Sequence, residues 1–348
     1  MVGQELSRRE RLVLEAVIQT YVQTAEPAAS RTLARRFGLG VSPATIRNTM
    51  SDLEEKGFLF HPHTSAGRIP TDKAYRAYVD SLLNLPPVEA VGRERLEEEI
   101  AAGGTAIETI LRRAAQSLGV LTQELGVALG PRLEDVVLQR LELVRVSSGR
   151  LLMVLTLHGG VMRTVFVEVQ GEIADPALAE VAVVLNERLG GLTLKEIRAS
   201  VGTRLRDSVR DPGSHELLNI FVEEGEQLFD AALPRAGETH VVLGQASVLA
   251  EQPEFAGAES MRRLLSLTDA PARLGEAIRR RSHGTGINIT IGGEHDDPGL
   301  DQFTVVTAEY HVGSLSGVIG VIGPTRMPYD KVISLVSHTS RLLTDLLD

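Results

Sequence analysis

Residues 26–75 decide the fold of this chain: EPAASRTLARRFGLGVSPATIRNTMSDLEEKGFLFHPHTSAGRIPTDKAY. Ser42, near the middle, is suited to begin a helix because its hydroxyl can accept a hydrogen bond from an amide of the first turn. Pro43 follows at a position where a missing amide hydrogen costs nothing. Apolar residues then recur at helical spacing and predict one buried stripe: Ile46, Met50 and Leu53. Gly57 is placed to end the helix.

The opposite face of this helix carries small polar groups and one cation. Its residues are Ser42, Ala44, Thr45, Arg47, Asn48 and Ser51. Side chains of this kind near a helix N-terminus suit base edges and phosphates in a major groove of DNA. The pattern therefore predicts a recognition helix.

The flanking residues predict the rest of a small DNA-binding domain. Ser7 and Glu10 form a capping box that opens one helix, and a second helix fits residues 28–37, so three helices make a helix-turn-helix. A strand over 58–61, a loop and a return at 68–69 predict a hairpin, or wing, and a further helix covers 72–85. We expect the wing to contact phosphate or the minor groove through His63, Thr64, Ser65 and Arg68.

Beyond this region the pattern alternates between helices and strands. Two prolines make residues 85–89 a candidate linker, and a helix is predicted over 107–125. Strands are predicted at 136–146, 151–157, 161–169, 239–243, 287–291, 306–310 and 315–322. Further helices are predicted at 176–189, 259–267, 272–281 and from residue 329 onward. Because residues 190–255 are mostly polar and helical, the pattern predicts one mixed sheet interrupted by an inserted subdomain.

Composition fits a regulator inside the cell. The 348 residues contain no cysteine, which excludes disulfides, thiolate metal sites and cysteine nucleophiles. A polar N-terminus and the absence of long apolar runs predict a cytoplasmic protein without a membrane segment. The net charge is −10, yet residues 1–80 hold 11 Lys and Arg against 9 Asp and Glu. A mildly basic N-terminal module on an acidic chain is compatible with DNA binding.

Motifs for other chemistry are weak. His61 and His63 could form a metal pair, but no third ligand is near, so contact of the wing with phosphate is the preferred interpretation. Residues 323–326 lack the lysine of a phosphate-binding loop and are better explained as a strand-to-helix connection capped by Thr325. No Gly-x-Ser-x-Gly motif occurs. We therefore predict no catalytic residues, no metal site and no cofactor.

Several of these motifs together resemble the heat-inducible transcription repressor HrcA family. The resemblance rests on residues 42–48 (SPATIRN), 52–55 (DLEE), 62–68 (PHTSAGR), 70–72 (PTD), 291–294 (IGGE) and 322–327 (IGPTRM) with Tyr329. Two departures stand out. Ala28 and Ala29 replace the usual Val-Gly, and Thr49 replaces a usual Glu, which we expect to remove a negative charge near the DNA face.

The resemblance implies an α+β protein with an N-terminal winged helix-turn-helix and a GAF-like mixed α/β domain interrupted by an inserted dimerisation subdomain. The corresponding bounds are 1–85 for the winged helix, 90–190 and 257–348 for the GAF-like domain, and 191–256 for the insert. It further implies a homodimer that binds double-stranded DNA at an inverted-repeat operator of the CIRCE type, represses chaperone operons and is released on heat stress. The GroEL chaperonin is the implied partner that keeps it active.

Two hypotheses of function remain from this reasoning. The first is a dimeric, sequence-specific DNA-binding repressor without catalytic activity. The second is a regulator whose GAF-like domain binds a small molecule that controls DNA affinity, which would require an apolar pocket with convergent polar groups.

Overall fold

The chain is a mixed α/β protein with antiparallel strand pairs. A computed structural model describes residues 6–62, 67–83, 92–101, 107–131, 136–158, 161–169, 173–206, 212–232, 241–281, 286–313 and 315–347. It divides into two compact units. The first contains Met1–Ala128, Val242–Glu309 and Ile319–Leu342, and the second contains Leu129–Val241, Tyr310–Val318 and Leu343–Asp348.

The first unit begins with helices and one short hairpin. Their bounds are α1 Arg8–Thr24, α2 Ser30–Phe37, α3 Pro43–Glu55, β1 Leu59–Phe60, β2 Ile69–Pro70 and α4 Asp72–Leu83. The predicted capping box is confirmed, since Ser7 and Glu10 each accept from the other's backbone amide. The predicted hairpin is also confirmed, because Leu59 pairs with Pro70 and Phe60 with Ile69. The predicted linker at 85–89 lies outside the described residues.

Helix α2 begins two residues later than predicted, and the hairpin is the reason. Ala28 forms an antiparallel bridge with Arg68, with N···O distances of 2.9 and 3.0 Å in the two directions. The backbone of Ala28 is therefore extended and cannot join the helix. Gly67 makes this approach possible, because a Cβ there would lie 2.2 Å from the carbonyl oxygen of Ala28.

The remaining elements follow in chain order. The helices are α5 Arg93–Ala101, α6 Ile107–Thr122, α7 Asp175–Leu189, α8 Leu194–Leu205, α9 Pro212–Glu223, α10 Gly225–Ala232, α11 Ser247–Ala250, α12 Ala258–Asp269, α13 Pro271–Arg281 and α14 Tyr329–Leu347. The strands are β3 Leu125–Leu129, β4 Leu138–Ser147, β5 Arg150–Leu157, β6 Met162–Glu168, β7 Val241–Leu243, β8 Ile287–Ile291, β9 Phe303–Val312 and β10 Leu315–Pro324.

These strands form two separate sheets, so the expectation of one mixed sheet is wrong. A five-stranded sheet has the order β7-β3-β10-β9-β8, and a three-stranded sheet has the order β4-β5-β6. Strand β3 was not predicted: the predicted helix ran through Leu125, and residues 126–129 were assigned to no strand. All five residues of β3 are buried.

The three-stranded sheet belongs to the second unit and has one covered face. Its inward side chains share a core with the apolar faces of α7–α10, including Leu155, Val167, Leu185 and Phe221. Asn186 on α7 also serves the edge strand β4: its amide accepts from Leu141 N at 2.8 Å and donates to Leu141 O at 2.7 Å. The edge is thereby covered at this point instead of being open to another strand.

No helix in the described part of the chain is long and apolar enough to span a bilayer. Within the same residues, no group of three His, Cys, Asp or Glu side chains is arranged to hold a metal ion.

Candidate nucleic-acid interface

Helix α3 begins with the cap that its sequence predicts. Ser42 has an extended backbone, and its Oγ accepts from the amide of Thr45 at 3.1 Å. The two hydroxyls of Ser42 and Thr45 also lie 2.9 Å apart. Gly57 follows the helix with a φ of +76°, a conformation that favours glycine. Both ends of the helix are therefore fixed by local interactions.

The two faces of α3 are as different as predicted. Ile46, Met50 and Leu53 are buried, and the helix packs against α1 and α2. The predicted contact face lies on the other side: Ser42, Ala44, Arg47 and Asn48 are exposed, while Thr45 and Ser51 are half-buried. Ser51 Oγ donates to the carbonyl of Arg47 at 3.3 Å. Within the described residues, the side chains of Arg47 and Asn48 make no hydrogen bond or ion pair, so both are available to a ligand.

Thr49 is not near this exposed face, and the expectation about its charge is wrong. Its side chain is 4% exposed and its Oγ1 donates to the carbonyl of Thr45 at 3.1 Å. It lies three residues after Ile46, which places both on the buried side of the helix. The spacing alone would have shown this.

An ion pair connects the end of α3 to the beginning of α1. Lys56 Nζ lies 2.6 Å from Glu10 Oε1, and the carbonyl of Lys56 accepts from Lys73 Nζ at 2.7 Å. The hydrogen bond from Lys56, together with the one from the Ser7 amide, holds the pKa of Glu10 at about 2. The first turn of α1 therefore stabilises the position of α3.

Arg68 lies at the loop end of the hairpin, directly before β2. Its Nη2 is 2.7 Å from Glu54 Oε2 on α3, and the side chain is only 16% exposed. The guanidinium is thus already paired with a carboxylate, and its contact with phosphate stays a prediction. The other predicted wing residues, His63, Thr64 and Ser65, lie outside the described residues.

Positive charge is concentrated on the neighbouring helix. Arg31, Arg35 and Arg36 are all exposed on α2, which packs against α3. Arg36 stacks over Phe37 with 5.5 Å between the guanidinium carbon and the ring centre. With Arg47 on α3, four exposed arginines lie on two helices that pack together, in a chain of net charge −10. Exposed positive charge of this kind is what attracts a phosphate backbone.

Sequence reasoning missed the residues that hold these helices in place. Arg326 Nη1 donates to the carbonyl of Val22 on α1 at 2.7 Å and also pairs with Glu254. Arg76 on α4 donates through Nε to Glu294 Oε1 at 2.7 Å. Both contacts use motifs that were quoted for the family resemblance, 291–294 and 322–327. The charged side chains of Arg76, Glu294 and Arg326 were the available signal in the sequence, but nothing local indicated which helix they would contact.

The connection around Thr325 also differs from the prediction in one detail. Strand β10 extends through Pro324 and α14 begins at Tyr329, so the segment is a strand-to-helix connection as expected. Thr325, however, lies four residues before the helix and does not cap it. Its carbonyl accepts from the Tyr329 hydroxyl at 2.8 Å.

Comparisons with known proteins identify the class to which this arrangement belongs. A family profile described as "HrcA protein C terminal domain" matches residues 108–333. A heat-inducible transcription repressor HrcA from Chlorobium phaeobacteroides (strain BS1) is 38% identical, with 99% of each chain covered. One from Geobacter sulfurreducens is 37% identical, again with 99% of each chain covered. A crystal structure of a hypothetical protein, 22% identical and with 99% of both chains covered, has a TM-score of 0.63 and supports the fold alone.

The relatives are transcription repressors by name, and the match runs along the full chain. The protein belongs to the HrcA family. The family resemblance drawn from the sequence motifs is thereby confirmed. The names support the repressor hypothesis and not the small-molecule sensor.

Proposed function

We propose that this protein is a heat-inducible, sequence-specific DNA-binding repressor of heat-shock operons. The observation that carries the proposal is the full-length identity of 38% to a curated heat-inducible transcription repressor. The exposed, capped face of α3 is consistent with it. No catalytic role, metal or cofactor is proposed.

The DNA-binding module in this proposal is a winged helix-turn-helix in residues 1–85, with α3 as the recognition helix. Three observations support it. The helix has its apolar stripe buried and its polar face open, the hairpin follows it directly, and the basic side chains of α2 lie on a helix packed against it. Arg47 and Asn48 are the side chains suited to read base edges, since a guanidinium or a carboxamide can form two hydrogen bonds to one base.

Substitution of the two proposed reading residues tests this function. We expect Arg47→Ala and Asn48→Ala each to weaken operator binding by about 1–3 kcal/mol, because each removes a base-edge contact. Stability should not change, since neither side chain is buried. Footprinting on chaperone promoters of the source organism would first locate the operator, and fluorescence anisotropy would then measure affinity. Arg112→Ala is the matched control, because Arg112 is an exposed arginine on α6.

Two outcomes of this experiment would contradict the proposal. One is that both variants bind the operator as tightly as the unmodified chain. The other is that Arg112→Ala weakens binding as much as Arg47→Ala, since affinity would then depend on total charge and not on α3.

We also propose that the protein acts as a homodimer on an inverted repeat of the CIRCE type, because one small module seldom binds tightly and specifically by itself. The proposed dimerisation subdomain is the second compact unit, which includes residues 191–241 of the predicted insert and extends back to Leu129, whereas residues 242–256 belong to the first unit. The remaining residues after the winged helix would form the GAF-like domain.

The outer face of the three-stranded sheet supports this role for the second unit. Val144, Leu152 and Phe166 are paired across the three strands on the face opposite the core. Val144 is 48% exposed and Phe166 is 56% exposed, and Val146 and Met162 are exposed as well. A contiguous apolar surface of this kind is characteristic of an interaction site.

The remaining partners come from the family resemblance. We propose that the operator lies upstream of chaperone genes, that the protein works in the cytoplasm, and that the GroEL chaperonin keeps it active. A pull-down of the purified protein with GroEL, before and after heating, tests the last part.

A further inference from the structure

We propose that Arg326 and Arg76 are positioning residues that fix the orientation of α3 relative to the five-stranded sheet. This inference rests on the proposed function in one respect: through that orientation, the two arginines set the half-site spacing that the dimer accepts. Neither residue lies on the proposed DNA-contact face.

The first contact, called here the α1 junction, consists of Arg326, Glu254 and the carbonyl of Val22. Arg326 donates Nη2 to Glu254 Oε2 at 2.9 Å and Nε to the other carboxylate oxygen, which makes a two-pronged pair. Its remaining nitrogen, Nη1, donates to the carbonyl of Val22 at 2.7 Å. The arginine side chain is 14% exposed, so this contact is largely shielded from water.

The α1 junction supplies what α1 lacks by itself. The last carbonyls of a helix have no partner inside the helix, and the C-terminal end of its dipole attracts a cation. Helix α1 has no basic residue in its last turn. Arg326, which is 304 residues further along the chain, provides both the hydrogen bond and the charge. The planar guanidinium can satisfy a carboxylate and a carbonyl together, which a lysine cannot do with the same geometry.

The second contact, called here the α4 junction, consists of Arg76, Asp72 and residues 289–294. Arg76 pairs with both carboxylate oxygens of Glu294 and also donates Nη2 to the carbonyl of Ile289 at 2.7 Å. Asp72, in the first turn of α4, accepts from the amide of Gly293 at 3.0 Å. Burial would raise the pKa of Glu294, but the hydrogen bonds from Arg76 and the Ile291 amide lower it below its usual value.

Gly292 shows that the chain is shaped for the α4 junction. Its φ is +49°, and a Cβ at this position would lie 2.2 Å from Asp72 Oδ2. Any other residue would therefore both strain the backbone and displace the carboxylate. Motif 291–294 thus brings a turn of the sheet region directly against α4.

The two junctions hold different helices of the N-terminal region. Between them, Tyr75 of α4 and Tyr329 of α14 are both almost fully buried, and their ring centres are 5.7 Å apart. Because α3 packs on α1 and is paired to it through Lys56 and Glu10, restraint of α1 and α4 also restrains α3. With two separate attachment points, rotation of the helices about either one is opposed by the other.

Distance measurements between spin labels test the restraint without any DNA. Since the chain has no cysteine, Glu55→Cys on α3 and Leu265→Cys on α12 place two labels at exposed positions of the full chain. Labelled protein diluted with unlabelled protein isolates the distance within one chain. We expect a narrow distance distribution, which Arg326→Ala combined with Arg76→Ala broadens by about twofold or more, since the population then includes additional orientations.

DNA binding tests the functional consequence. Duplexes would carry the operator found by footprinting, the same operator with one, two or four base pairs added to its spacer, and a single half-site. We expect Arg326→Ala and Arg76→Ala to reduce the preference for the natural spacing by about fivefold or more, because linked sites gain affinity only when the geometry permits simultaneous contact. Affinity for the single half-site should stay within about twofold, because α3 itself is unchanged.

Three further variants keep the test interpretable. Arg326→Lys and Arg76→Lys retain the charge and lose the two-pronged geometry, so they address the inference if an alanine variant does not fold. Arg263→Ala is the matched control, because Arg263 pairs with Glu259 and Asp301 within the sheet region. It should leave both the label distances and the spacing preference unchanged.

An unchanged distance distribution in folded variants overturns the restraint, whether or not the protein binds DNA. A broadened distribution with an unchanged spacing preference overturns the link to the operator. Failure of the unmodified chain to prefer any operator or spacing would instead remove the proposed function, and this would be visible before any variant is measured.

Discussion

At the scale of single residues, the pair formed by Glu10 and Lys56 connects the two helices on which the proposed interface depends. The carboxylate of Glu10 accepts two hydrogen bonds, one from the Ser7 amide at 2.8 Å and one from Lys56 at 2.6 Å. The residue is only 8% exposed. A carboxylate in such a position is stabilised in its charged form. The result is a pKa of about 2 in place of the usual 4.5.

The free energy of unfolding of the N-terminal region should therefore decrease as the pH falls from 4.5 towards 2. Because the pKa of Glu10 is lower in the folded state, its contribution is fully present above pH 4.5 and is lost as the pH falls towards 2. We expect a loss of about 1–2 kcal/mol, less than the full shift implies because Lys56 is partly exposed to solvent. Urea unfolding at a series of pH values would measure this loss.

In Glu10→Gln this part of the pH dependence should disappear, while the control variant Glu55→Gln, at an exposed position, should retain it. Equal pH dependence in the unmodified chain and both variants would exclude Glu10 as its source.

At the scale of elements, the hairpin that follows α3 is attached to neighbouring elements at its loop end and is not held only through its own pairing. The bridge between Ala28 and Arg68 and the ion pair between Arg68 and Glu54 connect it to the start of α2 and to α3. A two-residue pairing of β1 with β2 would be marginal by itself. The position of the hairpin strands therefore depends on Arg68.

Substitution of Arg68 distinguishes anchoring from direct contact with phosphate. If the guanidinium mainly holds the hairpin against Glu54, Arg68→Ala should lower affinity on all DNA sequences and leave the salt dependence of binding unchanged. A lost phosphate contact would instead reduce the slope of log K against log salt by about 0.9. Binding isotherms at several salt concentrations decide between them. Glu54→Gln provides the complementary check, because it should reproduce the loss only in the anchoring case.

Elements that are determined by neighbouring residues were predicted from the sequence, and elements that are determined by partners far along the chain were not. The cap of Ser42, the stripe of Ile46 and the stop at Gly57 depend on neighbours within a few residues, and each was predicted correctly. Strand β3 was missed because a short apolar run after a helix has no period of its own. This segment becomes a strand because it pairs with β7 and β10, which lie beside it only in the folded chain.

In the candidate site, too, local features were predicted and contacts with distant residues were not. The exposure of Arg47 and Asn48 followed from helical spacing, whereas the ion pair of Arg68 depended on a partner on another element. The roles of Arg76 and Arg326 depended on partners more than 200 positions away. No pattern within either motif indicates such a partner.

At the scale of the whole molecule, self-association is expected to use the open face of the β4-β5-β6 sheet. Phe166 lies on this face, beside Leu152 and under the guanidinium of Arg150 at 5.2 Å. The opposite face of the sheet is filled by its own helices. A second copy of the chain could cover the open face without disturbing either core.

A charge introduced at Phe166 should separate the proposed dimer. Phe166→Glu would place a carboxylate in the apolar stripe, and we expect monomers in sedimentation velocity at concentrations where the unmodified chain is dimeric. Val183→Glu on α7 is a matched control, since Val183 is likewise 56% exposed and belongs to the same unit. If Phe166→Glu remains dimeric, or if Val183→Glu dissociates equally, the interface lies elsewhere.

The interior position of β3 in the five-stranded sheet, between β7 and β10, also has a consequence for how the chain is made. Its two neighbours, β7 and β10, begin only at Val241 and Leu315. At a synthesis rate of roughly 5–20 residues per second, β10 emerges about 10–40 s after β3. Until β7 is made, a strand that is buried at every position in the finished protein has neither neighbour, and until β10 is made it lacks one of the two. Pairing between segments so far apart is slow and leaves apolar strands open to aggregation. Arg326 follows later still, so the N-terminal helices, although synthesised first, acquire their final attachment only when the chain is almost complete.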